Sequence, residues 1–180
     1  MLKEREEEKK LVEKIFDEYI AELSGNILDL GCGTGFLQPV IAKRRNKYSS
    51  VFCVDTSRNM LNILHSRYSD CIPVNGDALY MPFQDGFFEN ILCYNVFPHF
   101  IEKQGVINEF KRVLVAGGVI YIIHNMCHRK LNGLHLKKGV EVSNDRMLPV
   151  DNLKQLFLNQ SFKIIHSEEN QNRYLLIAQK

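Results

Sequence analysis

The stretch Asn26–Phe36 reads N-I-L-D-L-G-C-G-T-G-F, and the remainder of the chain is arranged around it. Ile27, Leu28 and Leu30 make a short apolar run suited to a buried parallel strand. Gly31, Gly33 and Gly35 follow at alternate positions, and Phe36–Lys43 carries the start of a helical pattern. A strand that passes through glycines into a helix is a nucleotide-cradling turn, because only glycine lets the backbone come so close to a ligand. Phe36 stands where a G-x-G-x-x-G dinucleotide fingerprint would place its third glycine, so the pattern here is G-x-G-x-G. Asp29 lies just before the turn, where a carboxylate could hold the loop and reach a cationic ligand.

Working outward, Ser50–Val54 is a second strand and ends on Asp55, with a helix start at Thr56-Ser57 and apolar Met60, Leu61, Leu64 and Tyr68 beyond. An acid at this strand end, about 20 residues past the glycine turn, is what ribose recognition requires, since its carboxylate accepts from both hydroxyls. Such an Asp can also simply cap the helix that follows. Cys71–Asn75 is a third strand and leads into Gly76-Asp77-Ala78-Leu79, followed by Met81-Pro82-Phe83; Phe88–Tyr94 is a fourth.

Asp29-Leu30-Gly31-Cys32-Gly33-Thr34-Gly35 resembles motif I of the class I S-adenosylmethionine-dependent methyltransferases, (D/E)-x-G-x-G-x-G, at every position. The G-D-A segment at Gly76–Ala78, the P-F pair at Pro82-Phe83 and the stretch Asp85–Glu89 resemble the family's later segments in the same order. Within that family the chain resembles the methyltransferase type 11, UbiE-like small-molecule branch. The resemblance implies an α/β fold: a doubly wound, mostly parallel seven-stranded sheet with an antiparallel last strand. It implies S-adenosyl-L-methionine as cofactor and S-adenosyl-L-homocysteine as product. It further implies that Asp29, Gly31, Cys32, Gly33 and Gly35 hold the cofactor together with Asp55, Thr56 and Met60, with Asp77 on the adenine amino group, and with Ala78, Leu79 and Asn95.

Residues 95–100 read N-V-F-P-H-F after the fourth strand, where a substrate meets the cofactor. Adenine- and glutamine-amide methyltransferases carry (N/D)-P-P-(Y/F) at this point. Val96 and Phe97 replace both prolines, which disfavours methylation of a base amino group. His99 is a candidate general base for an O–H or S–H acceptor, or a histidine that only packs. Gln104–Leu114 is an amphipathic helix, Arg112-Val113-Leu114 with Gly117-Gly118 resembles the family's R-x-L-k-p-G-G turn, and Gly118–His124 is a fifth strand. Residues 125–149 exceed common loop lengths and, with the strand end before them, collect His124, His128 and His135. If Met126–Leu134 is a helix beginning near His124, then His124 and His128 share one face. That spacing suits a substrate pocket, a transition-metal site, or a solvated lid with incidental histidines. Asp151–Asn159 is a last helix, and Lys163–Ser167 and Arg173–Gln179 form a closing hairpin around a polar turn at Glu168–Asn172.

Residues 2–23 begin with a charged run, Lys3–Lys10, and continue in an apolar stripe at helical spacing from Leu11 to Leu23. This helix either packs on the sheet or, as the resemblance suggests, forms a flap over the cleft. With 180 residues the chain is expected to be one domain, 1–180. A formal charge of +2 argues for no polyanionic partner, and the charged N-terminus does not read as a signal peptide. Five cysteines without a C-x-x-C pair give neither a disulfide frame nor a zinc ribbon and suit a reducing, cytoplasmic setting. The expected activity is methyl transfer to a small-molecule O, N or S nucleophile, with no membrane partner and an open oligomeric state. An RNA or protein methyltransferase and a metal-dependent or metal-binding protein built on the histidines are the alternatives.

Overall fold

Both faces of the strand opened by Asn26 are covered, and this sets the architecture. The computed structural model describes the backbone of residues 2–137 and 146–180 and the side chains of 6–133 and 146–180. Seven strands form a single sheet: β1 (Asn26–Leu30), β2 (Ser50–Asp55), β3 (Ile72–Asn75), β4 (Phe88–Tyr94), β5 (Leu114–His124), β6 (Lys163–Asn170) and β7 (Arg173–Gln179). Their order is β3-β2-β1-β4-β5-β7-β6, with β7 antiparallel to both neighbours and the other pairings parallel. The expected doubly wound α/β fold is therefore the observed one.

Alternation along β1 feeds two cores. Leu28 and Leu30 join Val54, Ile91, Ile120, Phe110 and Phe157 on one face. Ile27 joins Val51, Leu92, Ile123, Leu64 and Phe16 on the other. The second face is covered by α1 (Leu2–Tyr19), α2 (Gln38–Arg44) and α3 (Arg58–Arg67). The first is covered by α4 (Lys103–Val113) and α6 (Val150–Asn159), with Leu131 of α5 (His128–Lys137) against it. The chain leaves β1 toward β2 and β3, then crosses back to place β4 on the opposite side. That reversal opens a crevice at the carboxyl ends of β1 and β4.

Several boundaries differ from the sequence reading. Helix α1 stops at Tyr19, and Leu23 instead bridges to Arg45 through Leu23 N–H on the Arg44 carbonyl (2.9 Å). Helix α2 starts at Gln38, where Pro39 suits a first turn that needs no N–H, rather than at Phe36. Strand β5 begins at Leu114, so Val115–Gly118 is an irregularity in its pairing with β4 and not a turn before it. Strand β6 continues through Glu168, Glu169 and Asn170, which pair with Leu175, Tyr174 and Arg173.

The largest correction concerns the histidines. His124 is the last residue of β5, paired with Tyr174, and α5 begins only at His128. His124 and His128 therefore share no helical face, because long-range pairing with β7 holds His124 extended. The side chain of His135 lies outside the described residues.

Candidate active site

The glycine turn is held from behind by β2. Gly31 and Cys32 donate their N–H groups to the Val54 carbonyl, at 2.8 and 3.2 Å. One oxygen of Asp55 accepts the Gly33 N–H (2.9 Å) and the other accepts the Ser57 N–H (2.8 Å). A single carboxylate thus ties the turn after β1 to the start of α3, where Ser57 caps the helix. Gly31 has φ of 67°, and a Cβ there would lie 2.3 Å from a Val96 methyl. At Gly33, with φ of 52°, a Cβ would meet nothing within 4 Å, so the turn presents bare backbone to open space.

A cavity of about 460 Å³ lies against this turn at the carboxyl ends of β1, β2 and β4. Gly31, Asp55, Thr56, Asp77, Ala78 and Leu79 line one side of it. Asn95, Val96, His99, Phe100, Ile101 and Val106 line the other. Asp77 Oδ1 accepts the N–H of Leu79 (2.9 Å), which shapes the segment after β3 into a tight turn. Asn75 supports the same side by donating to the carbonyls of Asp55 and Thr56, both at 2.9 Å.

Five expected cofactor residues do not line this cavity: Asp29, Cys32, Gly33, Gly35 and Met60. Cys32, Gly33 and Gly35 shape the turn itself. Met60 is half-exposed on α3. Asp29 is 2% exposed, on the opposite face of β1 from Leu30, where Gln38 Nε2 donates to its Oδ2 at 2.8 Å. Burial pushes its pKa up to about 7, against the opposing hydrogen bond from Gln38. It braces the turn from beneath rather than reaching into the cleft.

A family model described as a methyltransferase domain matches residues 28–122, the span that holds the turn, Asp55, Asp77 and His99. The chain belongs to this methyltransferase family. Demethylmenaquinone methyltransferase of Thermotoga maritima is 33% identical over 97 residues, covering 54% of this chain and 42% of that protein. Sterol 24-C-methyltransferase of Aspergillus fumigatus is 28% identical over 180 residues, covering 87% of this chain and 46% of that one. The chain spans less than half the length of these curated relatives. A crystal structure of a SAM-dependent methyltransferase from Aquifex aeolicus superposes with a TM-score of 0.75 at 16% identity, covering 93% of this chain and 88% of that one.

The cofactor of this methyltransferase family is S-adenosylmethionine, and the residues present fit it. Gly31 brings side-chain-free backbone to the cavity wall, and two carboxylates, Asp55 and Asp77, line the same cavity.

On the acceptor side the histidines separate. His99, in a short 3₁₀ turn at Phe97–His99, lines the cavity. His124 is 1% exposed, its ring edge-on to Tyr174 with centroids 5.8 Å apart. Burial, followed by the charge of His99, holds its pKa down to about 3. His128 caps away from the cleft, its Nδ1 against Glu169, whose carboxylate also accepts the backbone N–H groups of His128 (2.8 Å) and Val150 (3.0 Å). Among the described residues no group of three His, Cys, Asp or Glu side chains is placed to share a metal ion.

Two groups whose partners the sequence does not report prove central. Arg112 donates to the carbonyls of Phe83 (2.7 Å) and Met81 (3.1 Å) and to Asp85 and Glu109, bracing the segment after Asp77. Glu8 of α1 reaches the ends of β4 and β5.

Proposed function

We propose that this domain transfers a methyl group from S-adenosylmethionine to a small-molecule nucleophile. The observation that carries this is one cavity with a polar nucleoside wall and, facing it, a mostly apolar wall that holds a single histidine. When bound, the cofactor supplies an activated sulfonium methyl with a good leaving group. The protein's task is then to hold the acceptor in line and exclude water. In this reading Asp55 accepts from the ribose hydroxyls, Asp77 accepts from the adenine amino group, and the backbone at Ala78 and Leu79 meets the ring. Thr56 and Asn95 close the pocket's two ends. Phe100, Ile101 and Val106 exclude water around the acceptor.

His99 is the base we assign for an acceptor O–H or S–H. His124 is disfavoured for this task, since a buried imidazole near pKa 3 has little drive to accept a proton at neutral pH. His128 faces its own carboxylate outside the cleft. Replacing His99 with Ala should cut turnover about 100-fold or more while leaving cofactor affinity intact. Full activity of that variant at pH 7 would remove His99 from the chemistry.

The small-molecule reading is tested by S-adenosylhomocysteine release with two halves of a host-cell extract. Product with the low-molecular-weight filtrate alone supports it. Product with the retained macromolecules alone overturns it, and nuclease or protease treatment then distinguishes RNA from protein. No helix among the described residues is long and apolar enough to cross a membrane.

A further inference from the structure

We propose that Glu8 is a positioning residue for cofactor binding in the cleft, acting through Asn95. Its Oε1 accepts three hydrogen bonds, from Tyr94 Oη (2.7 Å), Asn95 Nδ2 (3.0 Å) and Asn125 Nδ2 (3.0 Å). The donors come from the end of β4, the residue after it, and the residue after β5, so one oxygen gathers two strand ends beside the crevice. All three are neutral donors, which suits an ionised carboxylate and its several lone-pair sites.

The position of Glu8 in α1 separates this contact from ordinary packing. From Val12 onward the helix is anchored by Val12, Ile15 and Phe16, each fully buried. Glu6, Glu7, Lys9 and Lys10 are exposed, and Glu8 is the half-buried exception among residues 6–10. Its carboxylate is what ties that stretch of the helix to the sheet.

Asn95 carries the effect into the cleft. Its φ of 53° is a left-handed conformation that asparagine tolerates better than most residues. Its Nδ2 is held by Glu8 and its Oδ1 accepts the Asn125 N–H (3.3 Å), so both ends of the side-chain amide are fixed. Asn95 lines the cavity, and the next residue, Val96, packs so closely on Gly31 that no Cβ would fit between them. On the other flank, the Tyr94 ring stacks on Phe36, just past the glycine turn, with centroids 5.0 Å apart. Glu8 therefore fixes the Asn95 amide, and through it the segment at Val96 that bears on the turn.

This rests on the reading of the cavity as the donor site. The test is calorimetric titration of S-adenosylhomocysteine into the wild type, Glu8→Ala, Glu8→Gln, Asn95→Ala and the Glu8→Ala/Asn95→Ala double variant, with Tm measured for each. Glu8→Ala should weaken binding about 10-fold, as expected for loss of hydrogen bonds to a charged group. Glu8→Gln keeps the side chain's size and an oxygen for the same donors but removes the negative charge that strengthens those bonds, so it should weaken binding roughly 3-fold. The double variant should bind about as weakly as Asn95→Ala alone, because the two residues act in series. A lowered Tm with unchanged affinity would make Glu8 purely structural and overturn the proposal, as would losses that multiply in the double variant. Binding in the wild type with no change in Glu8→Ala removes Glu8 alone. No binding in the wild type overturns the donor-site reading and this proposal together.

Discussion

Asp29 and Asp55 flank the same turn with opposite physics. Asp29 is buried, with its folded pKa raised to about 7, so it favours the protonated form. A group whose folded pKa is raised gives its full stabilisation below the unfolded value near 4 and loses it as pH rises through 7. The difference amounts to roughly 4 kcal/mol across that window. Asp29→Asn keeps an oxygen for the Gln38 N–H and removes the charge. It should therefore raise Tm by several degrees at pH 8.5 and change it little at pH 4.5. Equal effects at the two pH values would show that the carboxyl is not paying for burial. Asp55, bonded to Gly33 and Ser57, faces the cavity instead. Asp55→Ala should weaken cofactor binding by on the order of 2 kcal/mol, read by calorimetry, and unchanged affinity would end the ribose assignment. The difference between the two acids was only partly legible. Spacing from the turn marked Asp55, while the partner that defines Asp29, Gln38, sits nine residues later in the next helix and carries no motif.

At the scale of elements, β1, β2 and β4 were readable almost to the residue because apolar runs bounded by turn residues are local signals. The region after β5 was not. The antiparallel pairing of His124 with Tyr174 joins residues 50 apart, and no local pattern reports it. The same holds for Arg112, whose place in α4 follows from amphipathicity but whose partners, Met81, Phe83 and Asp85, lie a quarter of a hundred residues or more upstream. Through them α4 supports the segment that follows Asp77. Arg112→Ala removes the guanidinium from two carbonyls, of which Met81 keeps the Phe83 N–H (2.8 Å), and should lower stability by about 1–3 kcal/mol, seen as a reduced midpoint in urea. It should also weaken S-adenosylhomocysteine binding, since the segment carrying Ala78 and Leu79 loses its brace. A variant with lowered stability but wild-type affinity would confine Arg112 to a structural role.

For the whole molecule, the decisive feature is that the cavity straddles the reversal in strand order. Asp55 ends β2 and Asp77 follows β3 on one side, while Asn95 and His99 follow β4 on the other. A ligand seated there touches both halves of the sheet, and the cores on its two faces run through both halves. Opening either half should therefore release the ligand, so that binding is linked to global unfolding rather than to local opening of one loop. The linkage is quantitative. S-adenosylhomocysteine at a hundredfold its Kd adds about 2.7 kcal/mol to the unfolding free energy. For a chain of this length that corresponds to a rise in Tm of roughly 5–10 °C. The same total concentration should give a much smaller rise in Asp55→Ala, because its Kd is higher. Saturation by calorimetry with less than about 1 °C of thermal shift would mean that the two halves unfold separately, with the ligand held by one of them.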